Sequence, residues 1–163
     1  HLLKIVNFKL KIIMITTEQI KQLRDLTGVS VMQCKKALEE ALGDMEKAKE
    51  ILKAISKSVA LKKADRELKS GAISSYIHGE GAVGVMLELL CESDFVARNA
   101  DFKQLARDIA MHIAAMSPEN GDELLEQEFI KSPDKTIKNL IEEVIQKFGE
   151  KVEIGRFARF SVK

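Results

Sequence analysis

Cys91, Asp94 and His112 are the residues whose types could combine as nucleophile, orienting carboxylate and general base, the set that covalent catalysis uses. Nothing in their spacing supports the combination. The three histidines (His1, His78, His112), two cysteines and scattered carboxylates form no GxSxG, HExxH, Walker or GxGxxG pattern. The run GEGAVG, Gly79 to Gly84, has the glycines of a phosphate loop but neither its lysine nor a following helix. Cys34 and Cys91 stand 57 positions apart with no CxxC or CxxH beside them, which fits two buried thiols in a reducing cytosol better than a zinc site or a disulfide framework. His112 lies at the edge of an apolar stripe, as a half-buried structural histidine does. Catalysis is therefore not the favoured class, and no cofactor is expected.

The stretch SDFVARN, Ser93 to Asn99, asks for a different kind of chemistry. It leaves a long apolar run and precedes a helical pattern, so it reads as a junction, where small polar residues are usual. A phenylalanine there gains nothing in water unless something covers it. Phe95 is either folded into its own core or covered by another molecule.

The elements that must position these residues follow from periodicity. Three short helical patterns run from Thr16 to about Ile55. Thr16 with Gln19 makes a capping box and Gly28 a stop. Ser30 with Gln33 opens a second helix with a stripe of Val31, Cys34, Leu38, Ala41 and Leu42, closed by Gly43. Asp44 caps a third, with Met45, Ala48, Leu52 and Ile55 on one side. Residues 57–70 read as a basic linker helix, a solvated face rather than a phosphate patch, since no aromatic residue interleaves the charges.

After Gly71 the period changes from 3.6 to 2. AISSYIH and AVGVMLELLC flank Gly79-Glu80-Gly81 as a hairpin. Asp101 with Gln104 caps a helix carrying Phe102, Leu105, Ile109, Ile113 and Met116, ended by Ser117-Pro118. Ser132-Pro133 reads as the start of a further helix with Ile137, Ile141, Ile145 and Phe148, ended by Gly149. The last strand places Val152, Ile154, Ala158, Phe160 and Val162 on one side, with Gly155 as a bulge. The predicted class is α+β: a three-helix bundle over 14–56, the linker, and over 71–163 a three-stranded antiparallel sheet covered by helices.

Composition is that of an ordinary globular protein, with 45% hydrophobic and 31% charged residues among 163 and a formal charge of +1. That balance calls for neither nucleic acid nor an anionic membrane as partner. Residues 1–13 are read as a non-native or upstream extension, because the first Met is at 14 and lysines interrupt any signal-peptide core. No run of about 18 apolar residues occurs.

Four stretches together carry a resemblance: LRDLTGVSVMQCKKALEEALGDMEKA (Leu23 to Ala48), ESDFVARNADF (Glu92 to Phe102), IAMHIAAMSPE (Ile109 to Glu119) and KVEIGRFARF near the end. The sequence resembles the translation elongation factor Ts family over residues 14–163. The resemblance implies a ubiquitin-associated-like N-terminal bundle and a cytoplasmic guanine nucleotide exchange factor for elongation factor Tu that makes no covalent bond and holds no cofactor. It further implies that Asp94 and Phe95 wedge into the partner's nucleotide domain near its magnesium and phosphate site. Leu23, Arg24, Val31 and Met32 of the bundle and His112 of the core would supply further contacts. Family members carry a helical insertion where this chain has only Glu119 to Lys131, and long members repeat the core half that is single here, so the resemblance admits a homodimer. A second reading keeps the folds and drops the exchange, leaving a helical adaptor that binds another protein.

Overall fold

A computed structural model describes residues 14–162, so the expected extension over 1–13 lies outside the described residues. The chain divides into two compact units, 1–55 and 56–163.

In the first unit three helices follow their sequence signals closely. Helix α1, Thr17–Thr27, is opened by the Thr16/Gln19 capping box and closed by Gly28 in the left-handed conformation (φ 67°). Helix α2, Val31–Glu40, is capped by Ser30, whose hydroxyl accepts the Gln33 N–H. Helix α3, Met45–Lys62, starts where the Asp44 carboxylate accepts the N–H groups of Glu46 and Lys47. Leu23, Val29, Cys34, Ala37, Leu38, Ala41, Ala48 and Leu52 form the small core. Two members of the expected stripe are not in it. Val31 sits in the first turn of α2 and Leu42 lies past its end with φ 54°, and both are exposed, while Val29 in the preceding loop is buried instead.

The expected break at Ile55 does not occur. Neither Gly nor Pro interrupts 45–62, so α3 continues to Lys62, with Val59 and Ala60 against the core of the second unit. What was expected as a linker helix over 57–70 is the last turns of α3 followed by a bend.

The second unit is α+β, as the change of period implies. Strands β1 (Ser70–His78) and β2 (Val83–Cys91) form an antiparallel hairpin around Gly79–Ala82. A one-turn helix α4 (Asp94–Arg98) leads directly into α5 (Ala100–Met116). Then come α6 (Gly121–Glu126), a two-stranded ribbon of β3 (Glu128–Phe129) and β4 (Ser132–Thr136), helix α7 (Ile137–Phe148) and β5 (Val152–Ser161). The main sheet has the order β1-β2-β5, all antiparallel. Phe102, Ile109 and Ile113 of α5 and Ile137, Ile141 and Ile145 of α7 join Val85, Leu87 and Leu89 of the sheet in one core.

Three local expectations are corrected. Ser132-Pro133 opens an edge strand, where a missing N–H is tolerated, and α7 is capped instead by Thr136 with Asn139. Helix α5 is capped by Asn99, whose side chain accepts the Asp101 N–H, rather than by Asp101. The face of β5 changes half-way along. Leu87 pairs with Phe157 but Leu89 with Ile154, so one residue of β2 faces two of β5 at Gly155-Arg156. A Cβ at Gly155 would lie 2.9 Å from Glu88 Oε2, which explains why glycine occupies the bulge. One extra residue inverts the alternation: Val152 and Ile154 face inward, then Phe157 and Arg159 do, while Ala158, Phe160 and Val162 turn outward.

The bulge is clasped by charge. Glu88 accepts from the Arg156 backbone N–H (2.9 Å) and from its guanidinium (Nε at 3.0 Å), which lowers the Glu88 carboxyl to about 2. A carboxyl depressed in the folded state stabilises it above its ordinary value of 4.5, and that stabilisation is lost as pH falls towards 2. Glu88→Gln is therefore expected to lower stability near pH 7, with the gap to the native protein closing between pH 4.5 and 2 when urea unfolding is followed across that range. A gap of constant size would show that the Arg156 clasp contributes nothing.

Candidate protein-binding site

The residues around Phe95 are placed by a helix of only five residues pinned at both ends. Ser93 caps it through its hydroxyl, which accepts the Val96 N–H. At the other end the Asn99 N–H bonds to Val96 O, and Asn99 then caps α5. Val96 and Ala97 are buried in the core. Successive residues of a helix point about 100° apart, so burying these two directs Phe95 and Arg98 to the opposite side. Phe95 is 81% exposed, the answer to whether its own core takes it. Asp94 beside it accepts the Ser70 hydroxyl at 2.6 Å, and its other oxygen lies 3.9 Å from Arg98. An exposed aromatic ring flanked by a carboxylate and a guanidinium on a rigid turn can dock against a protein surface.

The corner behind this turn is held by two carboxylates. Glu150 accepts the N–H groups of Glu92 (3.2 Å) and Ser93 (3.0 Å) and the Ser93 hydroxyl. Glu92 in turn accepts the Lys151 N–H and the Arg66 guanidinium (3.3 Å). Partial burial pushes the Glu92 carboxyl up, but the Lys151 N–H and Arg66 outweigh it and hold it below its ordinary value.

The expected N-terminal contacts divide. Arg24 and Val31 line one shallow hollow of about 210 Å³ with Thr17, Ile20 and Lys21, and Met32 projects beside Val31 with its side chain mostly in solvent. Leu23 is fully buried at the centre of the bundle and presents no surface. Its neighbour's exposure and its own burial are what helical phase requires, since Leu23 continues the Ile20 stripe and Arg24 leaves it.

His112 is also corrected. It is 0% exposed, its Nε2 lies 2.9 Å from Gln127 Oε1, its Nδ1 accepts the Ile130 N–H at 3.4 Å, and the ring tilts against Phe129. Burial lowers its pKa, against a smaller raising effect of Gln127, so it is neutral at pH 7. It joins α5 to the β3–β4 ribbon. Its partners Gln127 and Ile130 lie in the polar stretch that sequence reading left without structure.

Cys91, Asp94 and His112 make no relay, each being bonded elsewhere; the Cys91 thiol donates to Ser93 O at 3.3 Å, and burial raises its pKa, so it is not a ready thiolate. Among the described residues no group of three or more His, Cys, Asp or Glu is placed to hold a metal ion, and no helix is long and apolar enough to cross a membrane. Missed by sequence reading were Glu150 and Glu92; a carboxylate immediately after a helix-stopping glycine was the only signal for the former.

Comparison with known proteins bears on the whole arrangement. The family model for elongation factor Ts matches residues 5–123 and 92–163. The chain is 42% identical to elongation factor Ts of Carboxydothermus hydrogenoformans, covering 91% of this chain and 89% of that one. It is 43% identical to that of Thermodesulfovibrio yellowstonii, covering 91% and 96%. With elongation factor Ts of Aquifex aeolicus the identity is 44% over 91% of this chain but only 53% of the relative. The matches run through both units and include the pinned turn with its outward ring, and the chain belongs to the elongation factor Ts family, a family of translation elongation factors.

Proposed function

We propose that this protein is a guanine nucleotide exchange factor that binds elongation factor Tu in the cytoplasm and speeds its release of GDP. The observation that carries the reading is Phe95, exposed on a turn whose buried side chains give it no other direction. In this mechanism Phe95 and Asp94 insert beside the partner's magnesium and phosphate site. Covering a phenylalanine contributes about 1.5–3 kcal/mol, enough to hold a displaced conformation of the partner. The bound nucleotide depends on loop and helix-terminal N–H groups and on a magnesium ion bridging phosphate and protein oxygens, so a small displacement weakens it. The coupling is reciprocal: factor and nucleotide weaken each other equally, tenfold for each ~1.4 kcal/mol. No bond is made or broken.

Arg24, Val31 and Met32 hold the partner's nucleotide domain in the same reading, while Leu23 and His112 support these surfaces from within. A second copy of the chain covers the outer sheet face, where Ile73, Ile77, Met86 and Phe160 stand exposed. Supporting this is the apolar character of that face, whose four large side chains are each more than half exposed. A two-fold pairing of the face with itself would stack two sheets about 10 Å apart.

Catalytic amounts of the protein should speed loss of a fluorescent GDP from elongation factor Tu. Phe95→Ala should reduce that acceleration by at least ~10-fold, with a melting temperature close to the native one because the ring stabilises nothing in its own fold. No acceleration by the native chain would overturn the reading, and capture of another protein in its place would favour the adaptor. Sedimentation at micromolar concentration should give a dimer that Phe160→Glu converts to monomer; a native monomer would remove the second copy from the proposal.

A further inference from the structure

We propose that Glu150 is a positioning residue for the Phe95 turn, acting as a latch between the C-terminal corner of the second unit and the base of the wedge. The inference rests on the exchange-factor reading. The ladder of β2 with β5 ends at the pair Cys91 and Val152. Only Glu92 and Ser93 separate that last pair from α4, so the base from which the Phe95 turn projects is the backbone of two residues. Past the ladder their N–H groups have no strand partner, and both donate to one carboxylate, that of Glu150. The same carboxylate accepts the Ser93 hydroxyl, whose oxygen caps α4.

The latch is double. Glu92 returns the contact by accepting the Lys151 N–H, and Arg66 reaches both Glu92 and Gly149 O (3.5 Å). Gly149, left-handed at φ 70°, ends α7 and turns the chain so that Glu150 faces the corner. Charge-assisted bonds are the strong ones, and here they converge on the two backbone N–H groups that follow the end of the ladder. Wedge action needs such a base. If residues 92–93 are loose, the ring still finds its cleft, but binding energy goes into ordering the turn instead of displacing the partner's groups. The latch therefore governs the maximum rate of nucleotide release more than the concentration at which the factor half-saturates.

The test is stopped-flow release of fluorescent GDP from elongation factor Tu with native protein, Glu150→Ala, Glu150→Gln, Phe95→Ala and the Phe95→Ala/Glu150→Ala double variant. Glu150→Ala is expected to lower the maximum rate by ~10-fold while shifting half-saturation by less than ~2-fold. Glu150→Gln should recover most of the rate, since the amide oxygen still accepts the two N–H groups. The double variant should match Phe95→Ala alone, because a latch acting through the ring has nothing left to position. An unchanged rate for Glu150→Ala, or a double variant slower than Phe95→Ala by the full single-variant factor, would overturn the latch while leaving the exchange reading intact. Should Glu150→Ala fail to fold, Ser93→Ala takes its place in the same cycle. Should the native chain release no GDP, the exchange reading falls and the latch is read by amide hydrogen exchange: faster exchange at Phe95 to Ala97 in Glu150→Ala with Leu87 and Leu89 still protected upholds the pinning, and unchanged exchange at all of them overturns it.

Discussion

The exposure of Phe95 depends on the burial of Val96 and Ala97. With only five residues in the helix, two adjacent buried side chains fix its rotation, and helical phase then leaves Phe95 no route into the core. The constraint is cheap in sequence and firm in space. A longer loop could fold the ring back; a turn capped by Ser93 and closed by Asn99 cannot. Exposure of a large apolar group is normally a liability, and here it is built into the backbone rather than tolerated by accident.

Hydrophobic and polar forces divide the labour around that turn. Burial decides which way the helix faces but is non-directional and does little against small rotations of its base. Hydrogen bonds to Glu150 and Glu92 are directional, and they act on the two residues where the ladder has ended. Both carboxylates are satisfied by backbone groups of the opposing corner, so each holds the other's segment. Neither corner has a comparable restraint by itself.

Most of the architecture was legible because the signals were local. The Thr16/Gln19 box, the Gly28 and Gly149 stops, and the change of period after Gly71 each depend on residues within one turn or one strand, and each element formed where its signal lay. The errors share the opposite cause. Val31 is exposed because α2 begins with it, and Leu23 is buried because three helices converge on it, facts of tertiary packing. His112 belonged to an apolar stripe in sequence, but its partners Gln127 and Ile130 lie 15 and 18 residues further on, beyond any window that reads periodicity. Glu150 was invisible for the same reason: its acceptor role is defined by donors 57 and 58 residues away.

The β5 bulge shows how a small local irregularity redirects a whole surface. Read as an unbroken strand, 152–162 would put Val152, Ile154, Ala158, Phe160 and Val162 inward together with Arg156, and Phe157 outward. Glu88 and Arg156 instead take up the extra residue at Gly155, the parity inverts, and Phe160 joins Ile73, Ile77 and Met86 outside. The inner face meanwhile receives Arg159, whose guanidinium donates to Ala114 O at 3.1 Å, satisfying a carbonyl in the last turn of α5. A strand without the bulge would have exchanged these roles, burying the ring and leaving the carbonyl without its cation. The outward apolar strip is therefore a consequence of how β5 is registered against β2, and any partner that covers it is selected by that register as much as by side-chain identity.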